Sequence, residues 1–169
     1  MLLCTTGCQR TRVSIAAPQA AQASTSPWPA GLPVYDHIVI VVEENKDYQK
    51  IIGSTAAPYF NGTLKAEGAN LTQMFAEEHH SQGNYFWLFS GSNQNVGFLD
   101  RIPSKPIGAS SLGEQLILSN LSFRGYSESL PAIGFRGSSS GVYTRKHIPW
   151  ISFSNIPNGT TAATSSNLR

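Results

Sequence analysis

An α/β fold is the class this sequence predicts, and three stretches carry the prediction. Asp36 to Asn45, DHIVIVVEEN, contains the unbroken β-branched run Ile38-Val39-Ile40-Val41-Val42. Without alternating polar residues such a run reads as a strand buried on both faces, the habit of parallel sheets. Pro58 to Gly68 opens on proline and closes on glycine, the punctuation of a helix of about three turns. Asn70 to Ala76 alternates, with Leu71, Gln73 and Phe75 on one side and Thr72, Met74 and Ala76 on the other, as a second strand does.

The elements between and after these follow from local signals. Lys46 to Gly53 reads as a short helix or turn ended by glycine. Glu77 to Gly83 is a polar loop, and the aromatic-rich segment Asn84 to Ser90 is a short buried helix closed by Gly91, so Ser81 lies in the loop leading to a helix amino terminus, where backbone N–H groups can hold an anion. Ser111-Leu112-Gly113-Glu114 is a capping box that opens a helix over 112–119. Phe123 to Tyr126 is a third strand, and Gly134 to Gly141 is a glycine and serine loop. The end, Asn158 to Arg169, is polar, lacks an apolar period and offers no closing strand. No internal repeat occurs.

At 169 residues the chain is long enough for one domain with a real core. Charged residues make up 13% and the formal net charge is +2, too small to argue for a nucleic-acid partner. The two cysteines, Cys4 and Cys8, both precede the first strand, which removes a disulfide framework and a cysteine metal cluster from the folded part. Residues 1–33 read as an export signal, or as a disordered leader and linker. They are acid-free up to Ser24, Thr6-Gly7-Cys8 resembles a bacterial lipoprotein cleavage box with Cys8 as a lipid anchor, and Ala21-Gln22-Ala23 is a small-residue cleavage pattern. The apolar run is too short for a transmembrane span. Residues 34–169 form the folded portion.

Three constellations could carry chemistry. Glu44 and Asn45 place a carboxylate and an amide oxygen at the carboxyl end of the first strand, where open α/β sheets hold ligands; together they suit part of a divalent-cation shell, or simply begin a solvated turn. His79-His80-Ser81-Gln82-Gly83 keeps part of a G-x-S-x-G nucleophile elbow, without the strand that should lead into it, so a serine acyl hydrolase is weighed against an idle loop serine. Paired histidines in a loop are metal ligands or plain surface residues. The Asn-x-Ser/Thr sequons at Asn61, Asn70, Asn120 and Asn158 matter only on a eukaryotic secretory route and otherwise reflect a Ser/Thr-rich composition.

Taken together, HIVIVVEENKDY, APYFNGTLKAEGANLTQMFA, HHSQGNYFWLFSG, LGEQLILSNLSFRGYSESLP and YTRKHIPW resemble, in order, the amino-terminal segments of the phosphoesterase family of bacterial acid phosphatases and phospholipase C enzymes, within the alkaline-phosphatase-like superfamily. The resemblance covers about residues 35–157. It implies that Glu44, Asn45 and Ser81 bind a divalent metal ion, that Ser81 is the nucleophile, and that Asn84 steadies the phosphoryl oxygen. Lys146 and His147 match a basic pair near the phosphate. His80 and Gly83 stand where the family has prolines, which loosens the nucleophile loop.

The resulting expectation is an extracytoplasmic (periplasmic, secreted or lipoprotein) metal-dependent hydrolase of phosphate esters. Its substrates would be small molecules or phospholipids, on a mostly parallel alkaline-phosphatase-like sheet flanked by helices. The family also implies further aspartate and histidine ligands, and nothing after His147 can supply them, so an incomplete catalytic domain without turnover of its own is expected. The rivals are a non-catalytic fragment or phosphate-binding module, and a phospholipase C or serine acyl hydrolase.

Overall fold

The computed structural model describes residues 33–97 and 100–169. The leader, with Cys4, Cys8 and Ala21 to Ala23, lies outside those residues. The chain divides into two units, Met1–Ile40 and Val41–Arg169. In the first, residues 33–40 carry no helix or strand. The elements described next all belong to the second.

Helix α1 (Tyr48–Ile51) is a single turn ended at Gly53, whose φ of 83° is open to glycine. Residue 58 opens the next helix as its proline predicts, but the middle widens into a π-turn over Phe60–Leu64 before α2 (Lys65–Glu67) and the stop at Gly68. Asn61 organises this region. Its Nδ2 faces the carbonyls of Ile51 at 2.9 Å, Ser54 at 3.1 Å and Ala57 at 2.9 Å, and its Oδ1 accepts from the Gly53 N–H. An asparagine that reads as a sequon is thus committed to the backbone.

Helix α3 (Ser81–Ser90) begins three residues earlier than its aromatic segment suggests and ends at Gly91, in the left-handed region at φ 66°, whose N–H reaches the Trp87 carbonyl. Helix α4 (Leu112–Leu118) carries the predicted cap: the Ser111 hydroxyl accepts from the Glu114 N–H at 3.3 Å. Four short strands follow, β1 (Gly125–Tyr126), β2 (Ser139–Ser140), β3 (Tyr143–Thr144) and β4 (Asn167–Leu168). Two 3-10 turns, Arg145–His147 and Pro149–Ser152, come directly after β3. Strands β1 and β4 pair in parallel, Gly125 with Asn167 and Tyr126 with Leu168, while β2 and β3 form an antiparallel hairpin turned at Gly141. The helices come first and the small sheet pieces after them, in an arrangement of the α/β kind.

Three expectations are corrected. Asp36 to Asn45 is not a strand, and Ile38 and Val39 are 75% and 82% exposed. Asn70 to Ala76 is not one either; it contains a turn and leaves Phe75 76% exposed. A β-branched or alternating run becomes a strand only where a neighbour takes up its N–H and C=O groups, and among the described residues neither run has such a neighbour. The polar tail, conversely, does close a sheet. Ser166 and Asn167 are fully buried, and β4 lies beside β1.

Two apolar clusters hold the unit together. Phe86, Phe89, Phe153 and Ile156 form one, with Phe86 and Phe89 each meeting Phe153 edge-on. Leu130, Tyr143, Ile148 and Ile151 form the other, and Trp150 packs against both. Gly125 is the residue that lets Trp150 in, because a Cβ there would overlap the indole. Asn167 locks the ring: its Oδ1 accepts from Trp150 Nε1 at 3.0 Å and its Nδ2 donates to the Phe135 carbonyl at 3.2 Å. Asn167→Ala removes one buried partner from each, so the free energy of unfolding measured in urea should fall by about 2–3 kcal/mol; a change within experimental scatter would contradict this.

Candidate active site

Helix α3 presents two faces at helical spacing. Gln82, Phe86 and Phe89 are buried, whereas Ser81, Asn84, Tyr85 and Leu88, spaced at i, i+3, i+4 and i+7, line a cleft of about 390 Å³. Glu44, Asn45, Glu78 and the pair His79-His80 line the same cleft. The structure therefore brings Glu44, Asn45, Ser81 and Asn84 to one cavity.

Ser81 is the first residue of α3 rather than a loop residue before it. The turn behind it is held in an uncommon shape. His80 sits at φ 71° and ψ 146°, a conformation open to glycine and closed to proline. Proline, which the resembling motif carries at this position, does not fit this backbone. Asn84 reaches back over the turn: its Nδ2 donates to the carbonyls of Glu78 and His80, the latter at 3.0 Å, and its Oδ1 accepts from the Glu78 N–H at 2.9 Å. Its amide is thus engaged in shaping the loop that presents Ser81.

Opposite α3, the Glu44 carboxylate stands between two rings. Its Oε1 is 2.9 Å from His147 Nε2, a close polar contact rather than an aligned hydrogen bond, and its Oε2 accepts from the Tyr85 hydroxyl at 3.4 Å. The Tyr85 and His147 rings are 5.4 Å apart. Burial, reinforced by the Glu44 charge and hydrogen bond, pushes the Tyr85 phenol up to about 12. Lys146 turns the other way, with Nζ 2.7 Å from Asp100 Oδ2.

Asp100 belongs to this neighbourhood although no local spacing in the sequence ties it to Ser81. Its Oδ1 accepts from the Gln82 N–H at 3.0 Å. Burial alone would raise its pKa, but the Gln82 amide, Lys146 and the more distant His80 outweigh that and hold the carboxyl below its ordinary value.

Hard oxygen donors from Glu44, Asn45 and Ser81 around one cleft suit part of a divalent-cation shell. Among the described residues no group of three or more His, Cys, Asp or Glu side chains is placed to hold an ion. The protein's donors at this cleft fit one side of such a shell.

Glu78 is a second residue that sequence reading passes over. Its Oε1 accepts from Trp87 Nε1 at 2.8 Å and from Asn93 Nδ2, which pins the carboxylate across the first turns of α3. Gly83 makes room for it, since a Cβ there would come within 2.5 Å of Glu78 Oε2. In an open helix alanine is better than glycine by about 1 kcal/mol. Here the anchored carboxylate should reverse the sign, so Gly83→Ala is expected to destabilise the protein by about 1–2 kcal/mol in urea unfolding, and a stabilised variant would contradict the packing.

Comparison with known proteins places the chain. The Phosphoesterase family profile matches residues 57–168, which include Ser81, Asn84, Lys146 and His147 and begin after Glu44 and Asn45. A Mycobacterium tuberculosis protein named phosphatidylinositol-3-phosphatase is 41% identical over 142 residues, 84% of this chain and 45% of its own length. A probable acid phosphatase of Kluyveromyces lactis is 30% identical over 75% of this chain and 31% of its own length. A phosphate-repressible acid phosphatase of Penicillium chrysogenum is 30% identical over 72% and 30%. This chain spans less than half the length of each of these relatives. No solved structure matches. With two thirds of its residues under the family profile and phosphatases among its relatives, the chain belongs to the phosphoesterase family, whose enzymes hydrolyse phosphoric esters.

Proposed function

We propose that this protein carries the nucleophile-bearing part of a metal-dependent phosphate-ester hydrolase of alkaline-phosphatase-like design, with Ser81 as nucleophile. The observation that carries the reading is the position of Ser81 at the first residue of α3, lining one cleft with Glu44 and Asn45. A divalent cation held by Glu44, Asn45 and Ser81 would lower the pKa of the serine hydroxyl and offset charge on the phosphoryl oxygens. The protein's own residues supply the rest. Ser81 Oγ forms the new bond to phosphorus while the ester P–O bond breaks and the alcohol leaves with a proton; water then hydrolyses the phosphoserine. The start of α3 favours the negative charge through its dipole. Asn84 fixes the turn and can turn one N–H from the His80 carbonyl to a phosphoryl oxygen. Lys146 places a positive charge beside the cleft, and His147 sets a ring nitrogen against Glu44.

The substrate class is phosphate monoesters. The name of the Mycobacterium relative supports a phospholipid headgroup as one of them, and export with lipidation at Cys8 would bring the protein to such substrates. No helix of the described residues is long and apolar enough to cross a membrane. A second reading, a phosphate-binding module without turnover, draws on the absence of a three-residue His/Cys/Asp/Glu cluster among the described residues.

A chromogenic phosphate monoester separates the readings. The intact protein should hydrolyse it, lose activity to a chelator and regain it with a divalent cation, while Ser81→Ala lowers turnover by about 10³-fold or more with the fold intact. Phosphate binding without hydrolysis supports the module. Chelator-insensitive cleavage of an acyl ester would overturn both.

A further inference from the structure

We propose that Asp100 is a positioning residue that fixes the backbone N–H directly after Ser81 and ties it to the turn carrying Lys146. One carboxylate oxygen accepts the N–H of Gln82, the residue after Ser81, at 3.0 Å. The other lies 2.7 Å from Lys146 Nζ and 4.0 Å from Nδ1 of His80, the residue before it. Asp100 does not itself line the cleft.

The contact does three things. Gln82 N–H is one of the first-turn donors that a helix cannot satisfy internally, and a carboxylate is the acceptor best matched to it and to the helix dipole. Lys146 balances the charge, so the carboxylate is held from two directions. Lys146 also belongs to the turn Arg145–His147, and the next residue, His147, is the one against Glu44. Asp100 therefore ties the start of α3 to the turn that faces the Glu44 side of the cleft. The residue before Ser81, His80, has a positive φ and is held at its carbonyl by Asn84, so Asp100 and Asn84 secure the two sides of the serine. His80 and Gln82 fall within the HHSQGNYF segment but Asp100 and Lys146 do not, so the motif alone does not reveal the clamp.

The consequence for catalysis rests on the phosphoesterase reading above; the clamp itself does not. Asp100→Ala and the near-isosteric Asp100→Asn are compared with wild type in the full chain by amide hydrogen exchange and by kinetics on a chromogenic phosphate monoester. Asp100→Ala should speed exchange of the Gln82 amide by about tenfold or more, because the bond that protects it is gone. It should also lower kcat by about 10- to 100-fold with KM little changed, the signature of a misplaced nucleophile rather than weakened binding. Asp100→Asn retains an acceptor oxygen for Gln82 and should recover part of both effects. Unchanged Gln82 protection in Asp100→Ala overturns the clamp, whether or not the protein turns over substrate. Faster exchange with unchanged kcat overturns its positioning role. Faster exchange in a protein whose wild type has no phosphatase activity supports the clamp and counts against the proposed turnover instead.

Discussion

The rotation of α3 about its own axis is the constraint on which the site depends. Phe86 and Phe89 are fixed by edge-on contacts with Phe153, in a cluster that Trp150 joins to the second one. Once those two rings face inward, helical spacing leaves Ser81, Asn84 and Tyr85 facing the cleft. A helix turned by one residue would bury the serine. The apolar core therefore aims the hydroxyl, and the polar contacts around it set its distance from Glu44 and Asn45.

Those polar contacts include two side-chain pairs that leave one short turn in different directions. Lys146 reaches Asp100 and the amino end of α3, and His147 reaches Glu44. Each of the two side chains meets a carboxylate. In the proposed reaction a phosphoryl group near Lys146 would compete with Asp100 for its ammonium.

Local signals made much of the site legible and little of the sheet. Gly91, the Ser111 cap and the proline and glycine around 58–68 act within a few residues, and each marks the element it predicts. Glu44, Asn45, Ser81 and Asn84 meet in one cleft, as their place in the family's ordered segments implies. Strands depend on distant partners, and there the reading failed in both directions. The apolar run at 36–45 found no ladder, while the polar tail at 165–168 was drawn into one because Asn167 could satisfy Trp150 and Phe135. Asp100, Glu78 and Asn61 were invisible for a related reason. Each acts through hydrogen bonds to partners chosen by the fold, and a lone carboxylate or amide carries no spacing that announces them.

The proposed role of Ser81 is to take the phosphoryl group. Acid quenching of the intact protein during turnover of a phosphate monoester, followed by peptide mass spectrometry, tests it most directly. One phosphoryl group is expected on the peptide carrying Ser81, located on that serine by fragmentation and absent in Ser81→Ala. A phosphoryl group on another side chain, or steady hydrolysis with no covalent phosphate at any stage of the quench, would contradict it.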